Sequence, residues 1–291
     1  MAKGTLDLKR KMKSVGNTKK VTKAMEMVSG AKMRKATASV LSTRPYSAAS
    51  WEILLSLPHV SHSFFENSSE GDTALIVVSS NRGLCGSFNA NIAQQAMRTL
   101  KTYAGKTDVY TLGKKATETL SSGGVTIAGA FEKSDITRSI EDVLPLAHVV
   151  LQGFLTKKYS RVEIIYTDFV SPLKQKVTVL PLLPFSRVDE NVTHESGTQV
   201  NTARLSRDTV FEPSVEGVLD YVIPRIIETT IFQAVLESEA SEHSARMLAM
   251  KNASEAATDL MYSLNRAYNQ ARQSAITQEI AEISAGRAAL E

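Results

Sequence analysis

Residues Ile231 to Glu291 read IFQAVLESEASEHSARMLAMKNASEAATDLMYSLNRAYNQARQSAITQEIAEISAGRAALE, with no proline and one glycine, Gly286. Steps of three and four along this stretch pick out Met247, Met250, Ser254, Ala257, Met261, Leu264, Tyr268, Ala271 and Ala275. All but Ser254 suit the face of a partner helix. A seven-residue average spacing held this long predicts a left-handed coiled coil rather than a helix lying on a core. At about 1.5 Å per residue the stretch is roughly 90 Å long, so most of it is expected to protrude from a domain of this size. Alanine and methionine stand where a strong zipper carries leucine and isoleucine, so the helix approaches its partner closely and grips it weakly. Taken alone, the seam also fits one long helix of an ordinary bundle.

The other end of the chain supplies a partner. From Thr5 to roughly Leu57 the pattern is helical, with Pro45 the only proline before Pro58. An apolar stripe opens at Leu8, Met12 and Val15, resumes at Val21, Met25 and Val28, and thins at Ala31, Ala36 and Ala38. Its lysines rarely find a glutamate at i−4, so the stability of this helix must come from tertiary contact. Antiparallel pairing with the C-terminal helix provides it. Residues 1–44 carry twelve Lys or Arg against Asp7 and Glu26, a net +10 that leaves −6 on the other 247 residues. Opposite signs favour packing the two ends on each other, and the surplus asks for an acidic partner or water. A basic coiled-coil nucleic-acid-binding protein is the alternative. Against it, no aromatic precedes Tyr46 to stack a base, and there is no helix-turn-helix or finger spacing.

Between the ends the periodicity changes. After a polar linker over 59–72, Thr73–Ser79 reads as a buried strand, Ser80–Ser87 as a turn and Asn89 to about Tyr103 as a helix, which together make a β-α unit. Asp108–Leu112 is a strand, Lys114–Leu120 a helix, and Val125–Ala128 a short apolar run. Asp135–Lys157 is helical, with Asp135 as N-cap and a kink at Pro145. Arg161–Val170 and Lys174–Leu182 alternate around Ser171-Pro172 as a hairpin. The expected fold is α/β: a long antiparallel coiled coil of the N- and C-terminal helices, with an inserted Rossmann-like head built on a mixed five-stranded sheet. The expected domains are 1–58, 73–185 and 209–291. The span 186–208 is a polar linker, Phe211-Glu212-Pro213-Ser214 starts a helix, and Pro224 breaks it.

Chemistry of its own is poorly supported. The turn Gly83-Leu84-Cys85-Gly86 has neither G-x-G-x-x-G spacing nor a Gly-Lys-Ser/Thr ending, so its glycines read as permitting a sharp turn and close helix–strand approach, with Arg82 and Asn89 as tethers. Cys85 has no recognisable histidine partner among His59, His62, His148, His194 and His243, and those histidines lack metal-ligand spacing. No cofactor is expected. No run of eighteen apolar residues occurs, and MAKGTLDLKRKMK has no apolar stretch behind it, so neither a membrane span nor a secretory signal is expected. A lone cysteine suits a reducing compartment.

The stretches Lys13-Ser-Val-Gly-Asn-Thr-Lys-Lys-Val-Thr-Lys-Ala-Met-Glu-Met-Val-Ser29 and Lys32-Met-Arg-Lys35 closely resemble the gamma subunits of bacterial F-type ATP synthases. So do Arg82-Gly-Leu-Cys-Gly86 with Asn89, Ser241–Ser254, Tyr268–Ile280 and the ending Ala288-Ala-Leu290. The cysteine-bearing insertion of the chloroplast form is missing. The resemblance implies a non-catalytic central rotor shaft inside a hexamer of alpha and beta subunits, with its head on the epsilon subunit and the c-ring at the cytoplasmic face of the membrane. It further implies that Lys20, Lys23, Met25 and Glu26, and Arg246, Arg272, Gln273 and Thr277, lie against the hexamer. By the same resemblance Ile280–Leu290 sits in an apolar bearing, Phe211 and Glu212 lie at the foot near epsilon and the c-ring, and Gly83, Cys85, Gly86 and Asn89 form the turn motif.

Overall fold

Five strands share one sheet because each supplies apolar residues to both faces. In the computed structural model, which describes residues 3–56, 62–65, 71–103, 105–134, 136–137, 139–185 and 214–288, β1 (Asp72–Val78), β2 (Thr107–Leu112), β3 (Ile127–Phe131), β4 (Tyr159–Phe169) and β5 (Gln175–Leu183) lie in the order β3-β2-β1-β4-β5. The first four are parallel and β5 returns antiparallel to β4. The mixed five-stranded sheet is the one the sequence predicts. Ala74 to Val78 are wholly buried, as a central parallel strand must be when helices cover both faces. On one face α2 (Phe88–Thr102) and α3 (Lys114–Ser122) pack with Leu75, Val77, Val109 and Ile165. On the other, α4 (Leu144–Leu155) and the start of α5 (Val215–Ala288) pack with Ala74, Ile76, Val78 and Ile164.

Several local expectations are corrected. Pro224 does not break a helix: α5 runs through it without interruption. A proline inside a helix costs roughly 3 kcal/mol, but Ile223, Ile226, Ile227 and Ile231 around it are buried in the core, and each such side chain contributes roughly 1.5–3 kcal/mol. Packing therefore outweighs the lost hydrogen bond. Pro45 is likewise inside α1 (Lys3–Ser56). The helix expected over Asp135–Lys157 is shorter. A 3-10 turn, Ile140–Asp142, is capped by Ser139, and α4 follows with Pro145 in its first turn, where proline has no bond to lose and starts the helix instead of kinking it. Asp135 falls outside the described residues, as do 186–213, including Phe211 and Glu212. The apolar run at Val125 becomes β3 two residues later.

The chain forms two compact units. One joins the chain ends, Met1–Ser29 and Arg246–Glu291; the other is Gly30–Ala245 and holds the sheet. In the sheet unit the remaining length of α1 packs through Ala36 and Val40 on Phe169 of β4 and on Leu236 and Ala240 of α5.

Candidate functional site

The unit of the chain ends consists of two helical segments, so whatever is buried in it is buried by the opposite helix. On α5, Met247, Met250, Ser254, Ala257, Met261, Leu264, Tyr268, Ala271 and Ala275 are buried or half-buried, and every residue from Ile276 to Arg287 is exposed. The spacing read from the sequence is thus the seam itself. Ser254, the residue that looked out of place, is buried. On α1 the covered positions include Thr5, Leu8, Met12, Val15, Lys19, Thr22, Glu26 and Ser29, again in alternating steps of three and four, with Gly16 and Met25 half-buried beside them. Here the expected stripe fails at Val21 and Val28, which are 58% and 57% exposed while Thr22 and Ser29 take the seam, but it holds at half-buried Met25. Small hydroxyl side chains bond back to the helix, as Thr22 does to Lys19 O at 3.1 Å, and so can be covered without an unpaired donor. The two segments run antiparallel.

Charge is not what joins them. Residues 246–291 carry five Lys or Arg and five Asp or Glu, so the excess on α1 is left facing outward. Lys9, Arg10, Lys11, Lys13, Lys20 and Lys23 are exposed. Lys23 pairs with Glu26 at 3.0 Å, an exposed i,i+3 contact worth a few tenths of a kcal/mol that leaves the helix strongly cationic. Met25 is half-buried beside the seam. Arg246 is 8% exposed, whereas Arg272, Gln273 and Thr277 are open, with Thr277 Oγ1 donating to Gln273 O at 3.0 Å. Beyond the seam Ile276, Ile280 and Ile283 recur at helical spacing, 47%, 60% and 73% exposed. A polar surface with apolar residues set singly and a bare apolar tip is what the pair presents.

Among the described residues the sheet offers no comparable site. Open α/β sheets bind ligands at the carboxyl ends of the strands where strand order reverses, here between β1 and β4. That place is filled by α5. Lys133, buried just after β3, donates to Glu242 Oε2 at 2.7 Å and to Ser79 O at 3.3 Å, the carbonyl that ends β1. Glu239 Oε2 accepts from Thr137 N at 2.9 Å, and Ser241 Oγ donates to Thr167 O at the end of β4. The turn motif closes on itself as well. Asn89 Oδ1 accepts from Ser80 N at 3.2 Å while its Nδ2 donates to Cys85 Sγ at 3.2 Å. Gly86 adopts φ +59°, which its missing Cβ allows, but neither it nor Gly83 has a neighbour where a Cβ would stand. The expected close helix–strand approach is therefore not their reason. Cys85 is buried with Phe88 and Ile92 as core.

The sequence reading missed this buried polar stretch of α5. Gln233, Glu237, Ser238, Glu239, Ser241, Glu242, His243 and Ser244 are all buried. A signal was present: residues 226–245 contain Glu228, Glu237, Glu239 and Glu242 and no Lys or Arg. Glu228 is paired from its own helix by Arg225, but the three carboxylates over 237–242 have no Lys or Arg among them, and Arg44 and Lys133 reach Glu237 and Glu242 from other elements.

Comparison with known proteins accords with this geometry. Residues 5–290 match the family described as ATP synthase. The ATP synthase gamma chain of Chloroflexus aurantiacus is 40% identical over 294 aligned positions, covering 98% of each chain, and that of Xanthomonas oryzae pv. oryzae is 36% identical over 99% of each. Among solved structures, a chain of the central stalk and c-ring of the Tetrahymena thermophila mitochondrial ATP synthase superposes with a TM-score of 0.62 at 26% identity, covering 80% of this chain and 99% of that one. A chain of the Euglena gracilis mitochondrial enzyme shares the fold with a TM-score of 0.70 at 21% identity over 99% of this chain and 94% of its own. The chain belongs to the family of ATP synthase gamma chains.

Proposed function

We propose that this gamma chain is the central rotor shaft of a bacterial F-type ATP synthase. Its paired chain ends stand inside a hexamer of alternating alpha and beta subunits, and its sheet unit binds the epsilon subunit and the membrane ring of c subunits. Proton flow turns the ring and the shaft, and the beta subunits pass in sequence through the conformations that make ATP. Nucleotide chemistry belongs to the beta subunits. The chain works at the cytoplasmic face of the cell membrane, held there by its partners; among the described residues no helix is long and apolar enough to cross a membrane.

One observation carries this reading: a two-helix seam of alanine, methionine and small hydroxyl residues, with the cationic face of α1 and the bare tip of α5 turned outward. A threefold ring has three equivalent sites, and a ligand can shift a conformational equilibrium only by contacting its states differently. A single asymmetric object on the axis touches the three sites differently at any moment and each of them in turn. Its surface must also slide, so deep apolar anchors would hold it fast, whereas exposed lysines and lone apolar side chains do not. We assign Lys20, Lys23, Met25 and Glu26 on α1, and Arg272, Gln273 and Thr277 on α5, to contact with the hexamer. Arg246, being buried, acts from beside the seam. Ile276, Ile280 and Ile283 support an apolar bearing around the C-terminal end, and Phe211 and Glu212 are assigned to the foot. The nucleic-acid alternative finds no support among the relatives.

The test is assembly. Mixed with alpha and beta subunits, the chain is expected to enter a complex as one copy for three of each and to confer ATP hydrolysis on it, while binding no ATP by itself in calorimetric titration. Tight stoichiometric ATP binding by the isolated chain, or a complex with equal copies of all three chains, would contradict the reading.

A further inference from the structure

Three charged side chains, far apart in the sequence, meet inside the sheet unit where β4 ends against both long helices. The Glu237 side chain, on α5, is only 1% exposed. Its Oε1 accepts from Gln233 Nε2 at 2.9 Å and faces Arg44 Nη2, on α1, at 3.6 Å. The same Nη2 donates to the carbonyl of Phe169, the last residue of β4, at 3.4 Å. Asp168, one residue earlier on β4, is buried within hydrogen-bond reach of Glu237. Oε2 of Glu237 and Oδ1 of Asp168 are left as buried acceptors with no donor. Two carboxylates have nothing to donate to each other, so one proton between them is what satisfies both.

The surroundings leave few other charges to settle the balance. Facing Glu237 are Arg44 from α1 and Tyr166 and Asp168 from β4; burial holds the Tyr166 phenol well above its ordinary value, so it stays neutral. Lys176 lies opposite Asp168 on β5 and is exposed. Two residues further along α5, Glu239 lies near His243, and Glu242 is taken up by Lys133. Ala36, Val40, Phe169, Leu236 and Ala240 pack around the site, with the buried hydroxyls of Thr37, Thr167 and Ser238 on neighbouring positions.

We propose that Arg44, Asp168 and Glu237 form a buried clasp, closed by a single proton held between the two carboxyls, that fixes α1 and α5 on strand β4 so that torque passes between the sheet and the two helices without slip. With the proton in place one carboxylate balances one guanidinium, and the site is neutral. Without it Glu237 and Asp168 are both anionic beside the one buried guanidinium, and they repel each other across the β4–α5 contact. Burial first, and the hydrogen bond with Asp168 second, push the Glu237 carboxyl up to about 8, so the clasp is closed at neutral pH and opens in mild alkali. All three are positioning residues. An ordinary hydrophobic contact there would serve stability without any dependence on pH. The role in torque rests on the rotor reading; the shared proton does not.

The experiment uses the complete membrane-bound complex with wild-type gamma chain, Glu237→Gln and Asp168→Asn. Proton pumping per ATP hydrolysed is measured across the alkaline range, alongside infrared detection of a protonated carboxyl in the purified gamma chain. Wild type is expected to lose about twofold or more of its coupling between about pH 7 and about pH 9 as the shared proton leaves. Glu237→Gln, which cannot ionise, keeps its coupling throughout, and Asp168→Asn likewise flattens the profile. The protonated carboxyl band, present at neutral pH, disappears in Glu237→Gln. Identical pH profiles for wild type and both variants, or no protonated carboxyl at neutral pH, would overturn the clasp. A wild-type complex that fails to pump at neutral pH would instead overturn the rotor reading, and the infrared band would still decide whether the proton is shared.

Discussion

Glu237 shows how much a single buried carboxyl ties this chain to pH. Its folded pKa, pushed up to about 8, lies above the ordinary carboxylate value, so between the two the folded state holds a proton that the unfolded state has released. Stability from this group is therefore complete below the ordinary carboxylate range, falls as pH rises through the window, and levels off above about 8. The slope is up to about 1.4 kcal/mol per pH unit. Thermal melts from pH 5 to pH 8 are expected to show the midpoint of wild type falling relative to that of Glu237→Gln, with the variant the more stable at pH 8. A second residue-scale prediction concerns Gly113, which follows β2 with φ +105° and whose missing Cβ would stand 2.4 Å from Ser79 O. Gly113→Ala must strain the backbone and push β1 and β2 apart, and is expected to cost about 3 kcal/mol or more in denaturant unfolding, against less than about 0.5 kcal/mol for the same change at exposed, unstrained Gly105. None of this was legible beforehand. Arg44, Asp168 and Glu237 are brought together only by the fold, and a φ is not written in a residue name.

At the scale of elements, the seam on α5 could be read from spacing because its period survives any choice of small or apolar residue. On α1 the same reading went wrong at Val21 and Val28, where hydrophobicity was taken as the guide; the true seam turns to Thr22, Glu26 and Ser29, whose short or pairable side chains let the helices approach. Pro224 misled for a related reason. A local rule was applied where four buried isoleucines override it. The strands were found because a central parallel strand is apolar throughout, and the covered carboxyl edge of the sheet was not, because Lys133 and Glu242 are joined only in three dimensions. Close approach makes a prediction. Ala257→Leu forces bulk into the seam and is expected to destabilise the paired chain ends by about 1–3 kcal/mol, read as faster amide exchange over Thr5–Ser29. Ile283→Ala, at an exposed position, should leave exchange in the isolated chain unchanged and weaken only the assembled complex.

For the whole molecule, the division of labour follows from where charge and apolar surface are left over. Among the described residues the carboxyl edge of the sheet, the usual ligand place of a Rossmann-like fold, is covered by its own helix α5. The chain ends keep a cationic, sparsely apolar outside that suits sliding contact. The most direct measurement is rotation. With the hexamer fixed to a surface and a bead attached to the sheet unit, ATP is expected to drive turning in one direction, in three equal steps for each revolution. Sustained ATP hydrolysis with the bead stationary, in a complex shown to contain the gamma chain, would contradict the account.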